Sequence, residues 1–531
     1  MPQPRYDAVV IGAGHNGLTC AAYLAGAGLS VCVVERRDVV GGAAVTEEFH
    51  PGFRNSLASY TVSLLHPQVI RDLRLAEHGL RIVERPFSNF LPLSRDDGLR
   101  VGGGLEATQR EVARFSARDA ERLPAYYETL DRVADVLRDL LLETPPNVGG
   151  GIPDLFRAWK TGRRLQRLPM AARRDVLDLF TLSAGEWLDR WFESDPIKAC
   201  FGFDGVVGNF AGPYTPGSAY VLLHHVFGEV NGKRGAWGHA IGGMGAITQA
   251  MRREAEARGV RIETGNGVAR IAMHGDRASG VVLDDGREIA ARCVVSNAHP
   301  RRLLELLPDA PGEWREAFGH YRSESATFRM NVALSELPDF AALGTQRQPH
   351  HSSGIIMAPS LAFMERAYET ARSEGWSREP IVEMLIPSTV DDSLAPPGQH
   401  VASLFCQHFR YQLPGGRAWD AERETAADAV IEQVTRFAPN FARSVIARRI
   451  LSPADLEREL GLVGGDIFHG KLSLNQLFSA RPVLGHGDYR MPVAGVYLCG
   501  SGAHPGGGVT GIPGHNAARE VLRDLGRGSR L

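Results

Sequence analysis

YDAVVIGAGHNG, residues 6–17, and, one helix length later, VCVVERRDVVGG, residues 31–42, form the stretch whose reading decides the fold. Ala8 to Ile11 is an apolar run short enough to be a buried strand, and it passes directly into Gly12, Gly14 and Gly17 at G-x-G-x-x-G spacing. In that pattern one glycine allows the tight turn, the next lets backbone approach a pyrophosphate, and the third lets the following helix pack closely on the strand. Leu18 to Ala27 reads as that helix, whose N-terminus offers free N–H groups and a positive dipole end to phosphate. A second apolar run, Leu29 to Val34, ends in Glu35. Its carboxylate lies roughly 20 residues past the glycines, where it can accept from ribose hydroxyls. Strand, glycines, helix, strand and acid in register predict a dinucleotide site, where the glycines alone would not.

The residues just beyond shift the expected dinucleotide. Arg36 and Arg37 supply two cations, Gly41-Gly42 a second turn, and Ala43 to Tyr60 reads as irregular around Pro51-Gly52. A nicotinamide dehydrogenase would pass straight into its next crossover helix. Arginine and paired glycines after the acid form the pattern of enzymes that hold FAD extended, so the reading moves from NAD to FAD. At the other end of the chain, Gly495 to Cys499 reads as a strand, Gly500 to Gly511 as glycine-rich loop and Ile512 to Leu525 as a helix. Gly506, Gly508 and Gly511 repeat the G-x-G-x-x-G spacing, but no second strand and acid follow. This end is therefore expected to return to the first fold and to aim backbone N–H groups at the flavin, where they stabilise negative charge on the reduced ring.

Length and charge bound the rest. A chain of 531 residues exceeds one simple core and predicts two or more domains. A formal charge of −2 with interspersed signs gives no global field for nucleic acid. The six cysteines, Cys20, Cys32, Cys200, Cys293, Cys406 and Cys499, are far apart with no C-x-x-C pair, so neither a zinc site nor a disulfide framework is expected, and no metal. Met1 to Tyr6 lacks the apolar stretch of a secretory signal, and no apolar run approaches the roughly 20 residues of a membrane span. A cytoplasmic protein is the expectation, or a matrix protein in a eukaryote, with attachment to a membrane face left open.

The middle of the chain reads as follows. Leu64 to Leu75 and Leu105 to Leu142 look helical, the second broken near Pro124. Residues 152–174 carry Arg157, Lys160, Arg163, Arg164, Arg167, Arg173 and Arg174 against Asp154 alone, with Leu155, Phe156, Trp159, Leu165 and Leu168 among them. Such a basic amphipathic segment can lie on an anionic membrane; the alternative is a solvated helical hairpin with its apolar side on the core. The adjacent His224-His225 point in different directions, which argues against a metal site. Ala246 to Arg258 reads as a helix, and short strands with an Asp285-Gly286 hairpin turn lead to a buried strand at Cys293 to Ser296. Strands at Thr327 to Leu334, Ile381 to Ile386, Val401 to Gln407 and Ile446 to Leu451, with a helix from Ala421 to Phe437, predict an antiparallel sheet backed by helices. The expected fold class is α/β: a Rossmann-like FAD-binding domain built from discontinuous segments (1–65, 236–300 and 470–531) with an inserted α+β substrate domain containing an antiparallel sheet (66–235 and 301–469). The helical part of that domain, 105–200, is its membrane-facing candidate.

Val10-Ile11-Gly12-Ala13-Gly14-His15-Asn16-Gly17, Glu35-Arg36-Arg37 and Gly41-Gly42-Ala43 resemble the start of the phytoene desaturase-like flavoproteins. Gly500-Ser501-Gly502-Ala503-His504-Pro505-Gly506-Gly507-Gly508 is similar to their C-terminal flavin motif, and Val294-Val295-Ser296-Asn297-Ala298 to their middle strand. Gly464 to Gly470 and Leu498 to Gly502 also look like the subgroup called pyridine nucleotide-disulfide oxidoreductase domain-containing protein 2. The resemblance implies non-covalent FAD. Gly12, Gly14, Gly17, Glu35, Arg36, Arg37, Gly41 and Gly42 would hold the ADP half, with Ala13, His15, Asn16, Ala43 and Asn297 among the cofactor contacts. Val268 would meet adenine through its backbone, and Gly500, Ser501, Gly511, Ile512 and Pro513 would lie near the flavin. No pair of neighbouring redox cysteines is visible, which argues against disulfide reduction. Carotenoid desaturases of this kind usually carry an aromatic, an Asp and a Gly shortly after Gly52-Phe53-Arg54; here Asn55-Ser56-Leu57-Ala58 follow, which argues against a carotene.

The function these readings predict is FAD-dependent dehydrogenation of an apolar, isoprenoid or polyene-like molecule by hydride transfer to flavin. His504 and Asp466 are the candidate catalytic groups, because each sits in a motif expected near the flavin; the competing readings are a hydrogen-bonded loop histidine and a turn aspartate. The alternatives are an amine or amino-acid oxidase and an FAD-containing binding or assembly protein with little turnover. The expected partners are the apolar small-molecule substrate and, through 152–174, a membrane face; a homo-oligomer is admitted, nucleic acid is not.

Overall fold

Val9, Val10, Val31 to Val34 and Cys293 to Val295 are fully buried apolar runs, the kind that make strands covered on both faces. In the computed structural model, which describes residues 5–94, 97–307, 310–340 and 344–527, these runs pair in parallel. Tyr6–Ile11 lies between Val31–Val34 and Glu288–Ser296; Arg261–Glu263 flanks Val31–Val34, and Val496–Leu498 joins the far end of Glu288–Ser296. Three distant pieces of chain thus share one sheet. The other half of Glu288–Ser296 continues into an antiparallel meander with Arg277–Leu283 and Val268–His274, turning at Gly286. Helices His15–Gly26 and Ile512–Asp524 pack on this sheet, and His15–Gly26 packs against both Ile512–Asp524 and Gly245–Ala257.

The second sheet runs Val445–Leu451, Phe328–Leu334, His400–Phe409, Trp376–Leu385, Gly354–Met357, Asn89–Pro92, Gly98–Val101. All its pairs are antiparallel except Gly354–Met357 with Asn89–Pro92. One face carries Met330, Leu404 and Met384 towards the helix Trp419–Phe437; the other packs Ile356, Ile381 and Phe405 against a helical layer that includes Asp195–Val206 and Leu361–Glu374. The three short strands Asn89–Pro92, Gly98–Val101 and Gly354–Met357 escape sequence reading because four residues cannot display a period. The segment read as irregular, 43–60, holds a hairpin, Thr46–His50 with Phe53–Ser56.

Two buried polar residues and an acid tie the second sheet to the hairpin 46–57 and to the turn before helix Gly245–Ala257. Asn331 donates to Ser56 O at 2.9 Å, and Arg329 to Leu57 O at 3.2 Å and Ser403 Oγ at 2.6 Å. Asp391 accepts from the Gly242 amide at 2.6 Å and lies 3.1 Å from His239 Nε2, tying the end of the second sheet to the turn before Gly245–Ala257.

In the helical layer the break expected near Pro124 falls earlier. Helices Leu105–Ala113 and Ala117–Leu141 meet at Ser116, whose hydroxyl caps the second by accepting from Asp119 N at 3.1 Å. Pro124 sits inside the second helix, held there by the buried Leu123 and Tyr126 beside it. Helix Ile152–Arg167 has no buried residue, so its apolar side does not pack on the core. Among the described residues no helix is long and apolar enough to cross a membrane.

Candidate functional site

A cavity of about 800 Å³ opens at the carboxyl ends of the parallel strands. At one end it is lined by Gly12, Gly14, His15, Glu35, Arg36, Arg37, Gly42, Ala43, Val268 and Asn297. Ser501, Gly508 and Val509 of the returning C-terminal loop line it as well. The turn below is built for close approach. A Cβ at Gly17 would stand 2.1 Å from Gly12 O, and at Gly41, where φ is +131°, 2.8 Å from Ala44 O. No side chain caps the helix His15–Gly26, which leaves its N-terminal dipole available to an anion.

Glu35 holds this end in shape. Its two carboxylate oxygens accept from Ala13 N at 2.8 Å and Arg37 N at 3.0 Å, and each keeps a lone pair for a hydroxyl. Arg37 pairs with Glu47 through Nη2, while its Nη1 is buried with no partner. A buried guanidinium nitrogen left open beside a capless helix N-terminus fits a pyrophosphate. Arg36 turns partly outward and donates to Glu459 O at 2.9 Å. Asn297 lies under the glycine turn with its Nδ2 3.4 Å from Gly12 O.

Ala13, Asn16, Gly17, Gly41, Gly500, Gly511, Ile512 and Pro513 stand outside the cavity lining. Several of them support it: Asn16 donates to Ser501 Oγ at 3.2 Å, joining the two ends of the chain, and Gly41 N bonds Ala13 O at 2.9 Å.

The two candidate catalytic groups also lie off the cavity. Asp466 accepts from Phe468 N at 2.8 Å, Gly470 N at 3.0 Å and Ser323 Oγ at 3.2 Å, the bonding of a loop anchor. Burial raises its carboxyl despite those bonds and the nearby Arg481. His504 Nε2 is 3.2 Å from Leu140 O, its ring meets Phe478, and its carbonyl accepts from Tyr489 OH at 2.9 Å. Burial brings its imidazole down to about 4.

At the opposite end of the cavity Tyr60, Arg85, Asp204, His224, His225 and Glu383 converge among Phe203, Val207, Trp237, Phe405 and Phe468. Tyr60 OH donates to Glu383, and the Arg329 guanidinium stacks 4.5 Å over the Tyr60 ring. Burial, then the Glu383 charge, pushes Tyr60 well above the ordinary phenol range. Burial raises Glu383 too, with Arg85, Tyr60 and Arg329 opposing it. Asp204 differs: no hydrogen bond satisfies it among the described residues, and burial followed by the Glu383 charge lifts it to about 8. Burial also depresses His224 to about 3 and His225 to about 4, so both rings are neutral at physiological pH. Sequence reading passed over Asp204 and Glu383. The signal available was a lone acid in each of two otherwise apolar buried runs, Cys200 to Val206 and Ile381 to Ile386.

The glycine turn, the Glu35 carboxylate at the cavity and the open Arg37 nitrogen fit a flavin dinucleotide, and comparison with known proteins decides the family. Residues 17–327 match the family model described as flavin containing amine oxidoreductase. The chain belongs to the flavin-containing amine oxidoreductases. Within reach of that family, it is 44% identical to pyridine nucleotide-disulfide oxidoreductase domain-containing protein 2 of Rattus norvegicus, over 98% of this chain and 94% of the relative. It is 27% identical to a lycopene-forming phytoene desaturase of a Paracoccus strain, over 98% and 97%. Among solved structures it resembles cyclohexylamine oxidase from Brevibacterium oxydans with a TM-score of 0.58 and 17% identity, covering 98% and 100%, a likeness of fold. As a member of the flavin-containing amine oxidoreductases the protein is an FAD-dependent oxidoreductase. Cys20 and Cys499, distant in sequence, do come together: the Cys499 thiol raises the pKa of the Cys20 thiol. Both are free, fully buried and outside the cavity lining, and hydrogen bonding and burial keep Cys20 protonated, so they do not form an exposed redox pair.

Proposed function

We propose that this chain dehydrogenates a largely apolar small molecule, isoprenoid or polyene-like in its body, creating a carbon–carbon double bond. The observation that carries the reading is the single cavity that joins the glycine turn and Glu35 to a second end lined by Phe203, Val207, Phe405 and Phe468 with one unsatisfied carboxyl, Asp204. FAD, when bound, supplies the two-electron acceptor. Arg37 and the N-terminus of His15–Gly26 would hold its charged part, and the apolar walls would align the substrate and keep water out. A hydride leaves one substrate carbon with its electron pair. Asp204 takes the proton from the neighbouring carbon, whose C–H electrons become the double bond. Glu383 is engaged by the Tyr60 hydroxyl, whereas Asp204 has no hydrogen-bond partner among the described residues, which leaves Asp204 as the group free to move a proton.

The test is product analysis of the FAD-loaded protein with an isoprenoid and polyene panel: the product should have lost two hydrogens from adjacent carbons. Asp204 and Glu383 also favour a second reading, oxidation of an amine whose ammonium they would hold. Peroxide and a carbonyl product from amines, with polyenes untouched, would support that reading against the first.

A further inference from the structure

Ile152, Leu155, Phe156 and Trp159 fall at i, i+3, i+4 and i+7 of the helix Ile152–Arg167, so they share one face. That face is bare: the four residues are 82%, 68%, 62% and 53% exposed. Four large apolar side chains in a row on a surface mark a contact site rather than scattered exposure. Phe156 and Trp159 stack on each other at 5.5 Å, and Arg163 lies over Trp159 at 4.8 Å. These contacts hold the two rings side by side on the exposed face.

The charges around it choose the partner. Arg157 pairs with Asp154, and Lys160 and Arg164 with Glu143, which fastens the helix to the loop after Ala117–Leu141. Arg163 and Arg167 of this helix, and Arg174 of the next helix, Met170–Thr181, are exposed and make no ion pair among the described residues. A helix of 16 residues, roughly 24 Å long, is too short and too charged to span a bilayer but has the apolar face and cationic border of one that lies in its interface. The same end of Ala117–Leu141 faces the interior: Arg138 and Leu141 line a side cavity of about 280 Å³ that shares Leu64 and His224 with the main one.

We infer that helix Ile152–Arg167 docks the protein on an anionic lipid surface, with Ile152, Leu155, Phe156 and Trp159 inserted at the level of the headgroups and Arg163, Arg167 and Arg174 meeting lipid phosphates. The experiment is co-sedimentation of the FAD-loaded protein with vesicles of phosphatidylcholine alone and of phosphatidylcholine with phosphatidylglycerol. Wild type should pellet with the anionic vesicles, weaken as salt rises, and stay in solution with the neutral ones. Each of Arg163→Gln, Arg167→Gln and Arg174→Gln should weaken binding about fivefold. The pair Phe156→Ser and Trp159→Ser should abolish it while leaving flavin content and melting temperature unchanged, since both side chains are exposed. Equal binding by wild type and the Phe156/Trp159 variant, or none by wild type, would overturn the inference. So would a wild-type dimer in sedimentation velocity that the same pair of substitutions disperses, because a second copy would then cover the stripe.

Discussion

At the scale of single residues one carboxyl, Asp204, carries the proposed chemistry. Asp204 must be ionised to accept a proton, and burial with Glu383 beside it holds it at about 8. Below that value the carboxyl is protonated and idle. Wild-type kcat/KM is therefore expected to rise with pH and level off above about 8, and Asp204→Asn to lose that limb together with about 10²–10⁴-fold in rate while keeping its flavin. A pH profile of both proteins checks this. Arg37→Ala is expected to weaken FAD by about 10–100-fold, because it removes a charged donor that has no other partner on Nη1; flavin occupancy after gel filtration reads it. The contrast between these residues explains what sequence could show. Arg37 and Glu35 belong to a local motif whose spacing is the chemistry. Asp204 and Glu383 meet only because helix Asp195–Val206 packs against the second sheet, and no spacing records that contact. His504 and Asp466 sit in motifs near the flavin end along the chain, but the His504 ring bonds the end of helix Ala117–Leu141 and the Asp466 carboxylate anchors its own loop.

At the scale of elements, the turn between Tyr6–Ile11 and His15–Gly26 tolerates no side chain at Gly17, where a Cβ would meet Gly12 O at 2.1 Å. Gly17→Ala is expected to cost about 1–3 kcal/mol of stability and to yield flavin-poor protein, measurable by denaturant titration and absorbance. The clamp at Asp391 behaves differently. Burial pulls its carboxyl up, but His239, Ser393 and the Gly242 amide outweigh that and bring it down to about 2. A depressed carboxyl stabilises the fold above its unfolded value near 4 and loses that contribution as pH falls towards 2. Asp391→Asn should thus be less stable than wild type by about 2 kcal/mol at neutral pH, with the difference closing towards pH 2. Long elements with a clear period, such as Trp419–Phe437 and His400–Phe409, were legible in the chain. Strands of four residues were not, nor was the position of the helix break, which a serine cap sets and a proline does not.

At the scale of the whole molecule, one cofactor site draws on both ends of the chain. The parallel sheet needs Tyr6–Ile11, Glu288–Ser296 and Val496–Leu498 together, and Asn16 reaches Ser501 across the junction. Saturating FAD should therefore stabilise the whole protein, by about 2.7 kcal/mol at a hundredfold excess over Kd, seen as a higher melting temperature. The flavin half of this architecture could be read from glycines and an acid. Of the substrate half, the four longer strands and the helix Trp419–Phe437 behind them could be read from their apolar runs, whereas the short strands between 89 and 101 that join the sheet and the convergence of its polar groups could not. The central claim is that this one cavity couples bound FAD to oxidation of a substrate at Asp204. Anaerobic stopped-flow absorbance of the FAD-loaded protein against isoprenoid and polyene substrates tests it most directly. Wild type should bleach the oxidised flavin bands, and Asp204→Asn should do so about 100-fold more slowly. Fully bound flavin that no substrate of the panel reduces, or equal bleaching rates in the two proteins, would contradict it.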